Sequence, residues 1–236
     1  MLTIGLLGAM SWESSAEYYR LANQMVRERL GGLHSAQCVL YSVDFAAIEA
    51  MQTAGRWDQA AVVLADAARS LEAAGAQMLV LCTNTMHKVA DQVEEGLSIP
   101  FLHLADVTAA AVLDAGLHTV GLLATAFTME DAFYRDRLEQ HGLDVVVPDD
   151  GDRALVHRVI YEELCVGIVA DSSRRAFAGV IARLVDRGAG GVVLGCTEIE
   201  LLIGQRESSV PVFATTRLHV EAAVELSLRG LSSDEK

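Results

Sequence analysis

TIGLLGAMSWESSAEYYRL, residues 3–21, returns further along the chain as TVGLLATAFTMEDAFYRDRL, residues 119–138. Without a gap, Thr3 meets Thr119, Gly5 meets Gly121, Leu6 and Leu7 meet Leu122 and Leu123, and Tyr18 meets Tyr134. Small gaps carry the alignment on, bringing Gly75 and Ala76 onto Gly188 and Ala189, Cys82 and Thr83 onto Cys196 and Thr197, and Pro100 onto Pro211. Self-similarity over so long a period means two related domains rather than a solenoid, whose repeat is shorter.

Each copy alternates short β-rich runs with longer helical patterns. TIGLLG precedes SSAEYYRLANQMVRERL, CVLYSVDF precedes WDQAAVVLADAARSLEAAG, and QMLVLC precedes NTMHKVADQVEEG. That order predicts βαβ units around a parallel sheet, with glycine closing several helices. The expected fold is therefore α/β: two similar parallel-sheet domains related by a pseudo-twofold, with the active site in the cleft between them. The first domain is expected over 1–101 plus 214–236, the second over 102–213.

With 236 residues, of which 52% are hydrophobic, the chain has ample material for such cores. Its net charge of −14 argues against a nucleic-acid partner, because affinity for a phosphate backbone comes mainly from Lys and Arg. Lysine is confined to Lys88 and Lys236, which leaves little for a pyridoxal phosphate Schiff base. MLTIGLLGAM lacks the basic start of a secretory signal, and no uncharged run reaches the roughly 18 residues of a membrane span. The expectation is a cytoplasmic protein with no membrane partner. The four cysteines, Cys38, Cys82, Cys165 and Cys196, are too dilute for a disulfide scaffold, and no CxxC spacing suggests a structural zinc site.

Two cysteines stand where an apolar run gives way to small polar residues: Cys82 in LVLCTNTMHK and Cys196 in VVLGCTEIEL, each followed by Thr. A single such cysteine reads as a small buried hydrophobe. Two at matched repeat positions read as a functional pair. Ligands of open parallel sheets bind beyond the carboxyl ends of the strands, where both fall. If the halves pack about a twofold, the thiols approach one cleft from opposite sides. Inverting a stereocentre without a cofactor needs a base on one face of the carbon and an acid on the other, and a thiolate and a thiol can exchange those roles. One thiol must then ionise readily, which a helix N-terminus promotes. Thr83, Asn84, Thr85 and Thr197 suit the start of such helices and offer donors to a carboxylate. Cys38 and Cys165, the latter within a helical YEELCVG, read as core.

LCTNTMH and LGCTEIELL, with GAMSWESSAEYYRLAN near the start, resemble the aspartate/glutamate racemase superfamily, and within it the broad-specificity amino-acid racemase branch. The resemblance runs over nearly the whole chain. It implies a cofactor-independent two-base racemase of two α/β domains, usually a homodimer, acting on a small-molecule amino acid. It makes Cys82 and Cys196 the catalytic pair. Asn84, Thr85, Thr125 and Thr197 become contacts to the substrate carboxylate or amine, and Met10, Ser11, Trp12, Thr83, Thr128 and Glu198 complete the expected substrate-binding set. No metal is expected.

The chain departs from the family pattern at three alanines. Ala9 stands in a usual Gly-Gly-Met, Ala124 in a usual Gly-Thr, and Ala214 in a usual Phe-Asp-Thr-Thr. Cys165 falls where aspartate-specific relatives tend to carry Lys, and Asp44 rather than an Arg lies in YSVDFAAIE. Neutral or hydroxylated amino acids are therefore expected to serve at least as well as aspartate.

GLLGAMS matches neither the dinucleotide nor the P-loop spacing and reads as a strand-to-helix turn. His87, His103 and His219 read as local hydrogen-bonding residues, Glu13 as a further residue of the first loop, and Asp149, Asp150 and the terminal SSDEK as solvated surface. Two alternatives stay open: a related carbanion enzyme (hydantoin racemase, decarboxylase or cis–trans isomerase type), and a non-catalytic two-lobed binding module.

Overall fold

The structure, a computed structural model, describes residues 1–231; the SSDEK tail lies outside the described residues. The chain divides into two compact units, 1–103 with the returning segment from His219, and 104–218. In the first, β1 (Ile4–Gly8), α1 (Trp12–Leu30), β2 (Cys38–Ser42), α2 (Phe45–Thr53), α3 (Trp57–Ala73), β3 (Met78–Leu81), α4 (Ala90–Glu94) and β4 (Phe101–Leu102) follow in order. The second contains α5 (Leu104–Asp114), β5 (Thr119–Ala124), α6 (Ala126–Glu130), α7 (Ala132–Gln140), β6 (Asp144–Val146), α8 (Asp150–Glu162), α9 (Asp171–Asp186), β7 (Gly191–Gly195), α10 (Ile199–Leu202) and β8 (Val212–Ala214). The last helix, α11 (Thr215–Arg229), begins there and continues into the first unit.

Each unit holds a four-stranded parallel sheet, ordered β2-β1-β3-β4 in one and β6-β5-β7-β8 in the other. The repeat seen in the sequence is thus a repeat of topology. The central strands β1 and β5 are the aligned segments, and their near-continuous apolar runs suit strands buried on both faces. In the first unit the faces separate cleanly. Ile4 and Leu6 pack with Tyr18, Leu21 and Val26 of α1 and with Val220 and Val224 of α11. Leu7 packs on the other side with Leu64, Ala68 and Leu71 of α3. In the second unit Leu122, Leu123, Val193, Phe177 and Leu184 belong to one continuous core.

Local structure departs from the sequence reading in three places. NTMHKVADQVEEG is not one helix: a 3-10 turn over Thr85–Val89 passes at Val89 (φ −113°, ψ 21°) into the single turn of α4. His87 Nδ1 donates to the Thr83 carbonyl at 2.7 Å, so a side chain ties down this turn in place of a regular helical start. Cys165 is not helical either. α8 stops at Glu162, and Cys165 sits in a 3-10 turn, Leu164–Val166, closed by Gly167 at φ 77°, a conformation glycine adopts without a steric cost. Lastly, the units part at 103/104 and 218/219, a few residues beyond the positions drawn from the sequence. β8 pairs with β7, and Thr215 Oγ1 donates to the Leu194 carbonyl at 2.7 Å, which holds the start of α11 in the second unit.

Candidate functional site

The carboxyl ends of β1 and β3 are adjacent because these strands pair in register, Leu7 opposite Leu81. After β1 the chain makes the expected strand-to-helix turn. Ala9 takes φ 69°, and Ser11 caps α1 by accepting from Ser14 N. Ser15 Oγ accepts from Ala9 N at 2.6 Å. Gly8 allows this closure, since a Cβ there would fall 2.3 Å from Ser15 Oγ. Ser14 Oγ in turn donates to the Cys82 carbonyl at 3.3 Å, tying the two strand ends together. Met10 and Ser11 are buried, whereas Trp12 is 67% exposed at the head of α1.

Cys82 follows β3 directly. Its backbone N–H extends the sheet by donating to the Leu7 carbonyl at 2.8 Å, and its thiol is fully enclosed, 3.6 Å from the Val80 carbonyl. Thr83, Asn84 and Thr85 are buried beside it.

The second unit repeats this arrangement with different chemistry. Thr125, directly after β5, and Thr128, in α6, are both buried with hydroxyls 3.4 Å apart. Cys196 follows β7, buried, and its Sγ donates to Glu198 Oε2 at 3.0 Å. Glu198 is only 6% exposed. Thr197 Oγ1 accepts from Thr216 Oγ1 at 3.1 Å, while Glu200 accepts from Thr216 N at 2.9 Å. Met10, Ser11, Thr83, Asn84 and Thr85 are buried in the same unit as Cys82, and Thr125, Thr128, Thr197 and Glu198 in the same unit as Cys196.

The electrostatics correct the expectation that a helix N-terminus would favour a thiolate. A 3-10 turn follows Cys82, and the four-residue α10 follows Cys196. Neither has enough aligned peptides to develop the charge of a full helix. Burial instead pushes both thiols well above their ordinary pKa, with Cys38 adding to the effect at Cys82. At Cys196 the Glu198 carboxylate adds to burial, followed by Cys165. Cys38 and Cys165 are half-buried, each packed against its unit's core and near the catalytic candidate.

The sequence reading missed the supporting hydroxyls: Ser14 and Ser15 on α1, and Thr215 and Thr216 on α11. The only trace in the sequence was the Ser-Ser pair in the first segment and the Thr-Thr after Ala214. Of the three histidines, His87 makes a local bond, whereas the bonds of His219 join distant parts of the first unit and His103 is placed by its ring contacts. His87 holds Thr83, His219 bridges Tyr18 and Leu102, and the ring of His103 lies 4.7 Å from that of His87. Lys88 lies over the Trp57 ring, 4.1 Å from its centroid. Among the described residues no group of three or more His, Cys, Asp or Glu could hold a metal ion, and no helix is long and apolar enough to cross a membrane.

Two α/β units, each with a parallel sheet and a buried thiol after its third strand, in register with an internal repeat, are the architecture of a class of racemases. The chain belongs to the Asp/Glu/hydantoin racemase family, whose profile matches residues 7–223. A solved Yersinia pestis protein, described as a candidate Asp/Glu racemase, is 52% identical, covers 97% of this chain and 100% of its own, and superposes with a TM-score of 0.91. PH1733, an aspartate racemase homologue from Pyrococcus horikoshii OT3, is 33% identical over 96% of this chain and 99% of that one, with a TM-score of 0.85. The broad specificity amino-acid racemase RacX of Bacillus subtilis (strain 168) is 21% identical over 72% of this chain and 74% of its own length. The chain is thus a racemase-type enzyme of the carbanion-forming kind.

Proposed function

We propose that this chain interconverts L- and D-amino acids without a cofactor, Cys82 and Cys196 acting as the two proton-transfer groups. The observation that carries the reading is the equivalence of the two thiols: each directly follows the third strand of a unit with the same strand order, buried among small hydroxyl residues. Binding alone gives no reason to keep a thiol in both places. A decarboxylase of this type is expected to need only one. In the forward direction one thiolate removes the α-proton and the other thiol delivers a proton to the opposite face; in reverse they exchange roles. Asn84, Thr85, Thr125 and Thr197 supply donors for the α-carboxylate.

The proposed substrate is a free neutral or hydroxylated amino acid. A second carboxylate would need a cation, commonly a bidentate Arg or a Lys, and an unpaired charge in a closed site is costly. Cys165 occupies the position where such a Lys is expected, and Asp44 is committed to capping α2, accepting from Ala46 N. The working form is proposed to be a cytoplasmic homodimer.

The test is solvent deuterium incorporation at the α-carbon across an amino-acid panel, with chelator present. Wild type should exchange and racemise neutral amino acids at least as well as aspartate. Cys82→Ser and Cys196→Ser should each lose racemisation by about a thousandfold or more, because an alcohol is a far weaker acid than a thiol, while each retains exchange of one enantiomer. Full two-way racemisation by either variant would refute the two-base assignment. A preference of more than about tenfold for aspartate over every neutral amino acid would refute the specificity.

A further inference from the structure

The two thiols are equivalent in the fold but not in their surroundings. Cys196 Sγ has a carboxylate oxygen 3.0 Å away, that of the nearly buried Glu198, whereas the Cys82 Sγ contact is a backbone carbonyl at 3.6 Å. An S–H can donate to a carboxylate; a thiolate at that distance meets a second negative charge in a site that screens it poorly. Two-base chemistry needs one thiolate and one thiol before substrate binds. An asymmetry of this kind decides which is which.

We propose that Glu198 is a positioning residue that assigns the resting protonation of the pair, holding Cys196 as the thiol and leaving Cys82 to ionise first. This rests on the two-base reading given above. The groups facing Cys196 are consistent with it. Glu198 comes from its own loop, and Cys165 approaches from the turn after α8. Both are neutral or negative, so neither favours a Cys196 thiolate. Cys82 is faced by Cys38 of β2, neutral as a thiol. When Cys82 carries the charge, its thiolate accepts the α-proton and Cys196 gives its S–H proton to the opposite face. The Cys196 thiolate then lies against Glu198 until a proton returns. In the resting pair Glu198 thus acts on the acid partner only.

The first test is a titration that needs no turnover, following ultraviolet thiolate absorbance in the full-length chain. In the Cys196→Ser variant the Cys82 thiolate should appear at lower pH than the Cys196 thiolate does in Cys82→Ser. In Glu198→Gln, which keeps an acceptor oxygen but removes the charge, the Cys196 step should fall by at least about one pH unit, a tenfold gain in thiolate fraction. The Cys82 step should stay. The second test is the pH profile of kcat/KM. Its acid limb reports ionisation of the pair's first thiol and its basic limb the loss of the second proton, both as properties of the pair. Glu198→Gln should draw in the basic limb alone, and Glu198→Asp should largely restore it. Cys196 ionising before Cys82, or a Cys196 step unmoved in Glu198→Gln, would overturn the proposal. If Glu198→Gln does not fold, the order of ionisation in Cys196→Ser and Cys82→Ser decides it. An enzyme with no racemase activity but the predicted titrations would refute the function and leave the protonation assignment standing.

Discussion

At the scale of single residues, Ala9 shows a local rule broken in the loop beside Cys82. Its φ of 69° lies in the left-handed region, where a Cβ crowds the following carbonyl at a cost of about 1–2 kcal/mol. The conformation is imposed from outside the residue, by the Ala9 N–H bonded to Ser15 Oγ at 2.6 Å. Ala9→Gly removes the steric cost but loosens the unfolded chain, which offsets about 0.4–1 kcal/mol. The expected result is a net gain of roughly 0.5–1 kcal/mol in urea denaturation, with the strand-to-helix turn unchanged. Destabilisation by Ala9→Gly would mean that the alanine methyl contributes more through packing than its backbone loses.

Among elements, the decisive contacts are those of α3 and α9 with the central strands. Gly5 and Gly121 align in the repeat, and each marks a place where a helix, or the turn after it, presses on its sheet. A Cβ on Gly5 would lie 2.8 Å from Ala76 Cβ and 3.0 Å from the Met78 carbonyl oxygen. One on Gly121 would lie 2.9 Å from Leu184 Cδ1 and 3.2 Å from Leu184 Cβ. Overpacking of this kind costs about 1–3 kcal/mol. Gly5→Ala should fall at the upper end, because backbone and a methyl on the main chain cannot swing away. Gly121→Ala should cost less, because its nearest contact is the end of a leucine side chain. Thermal or urea unfolding of the two variants checks the order; a Gly121→Ala loss larger than that of Gly5→Ala would contradict it.

For the whole molecule, the histidine at the return from the second unit to the first sets an acid limit. His219 is buried, its Nε2–H donating to the Leu102 carbonyl at 2.8 Å and its Nδ1 accepting from Tyr18 Oη at 3.0 Å. Burial lowers its pKa from 6.5 to about 4, opposed in part by the hydrogen bond to Leu102 and assisted, by less, by His103. With a depressed folded pKa, the unfolded chain binds the proton first as pH falls. Stability from this group is therefore full above about pH 6.5 and is lost progressively down to about pH 4. Between about pH 7 and 5 the loss is about 2 kcal/mol. His219→Gln can keep both hydrogen bonds without titrating, so its unfolding free energy should fall less over that interval. Equal acid sensitivity in the variant and wild type would assign the effect elsewhere.

The sequence by itself determined the class of fold and the two cysteines. Apolar runs and helical patterning are local properties, and a duplicated chain displays the same pattern twice, so Thr3–Leu21 and Thr119–Leu138 announced the central strand of both units and the helical segment after it, one helix in the first unit and the pair α6 and α7 in the second. It also placed Cys82 and Cys196, because the end of an apolar run is the end of a buried strand. Tertiary structure alone decided the short turns after each cysteine, where side-chain bonds such as His87 to Thr83 outweigh helix propensity. It decided where α11 changes units, through bonds from Thr215 and Thr216 to β7 and its loop. It also decided the inequality of the thiols. Glu198 follows Cys196 by two residues in any conformation, but only the folded loop turns its carboxylate back onto the sulfur and seals both from water, where a charge at 3.0 Å acts on a proton.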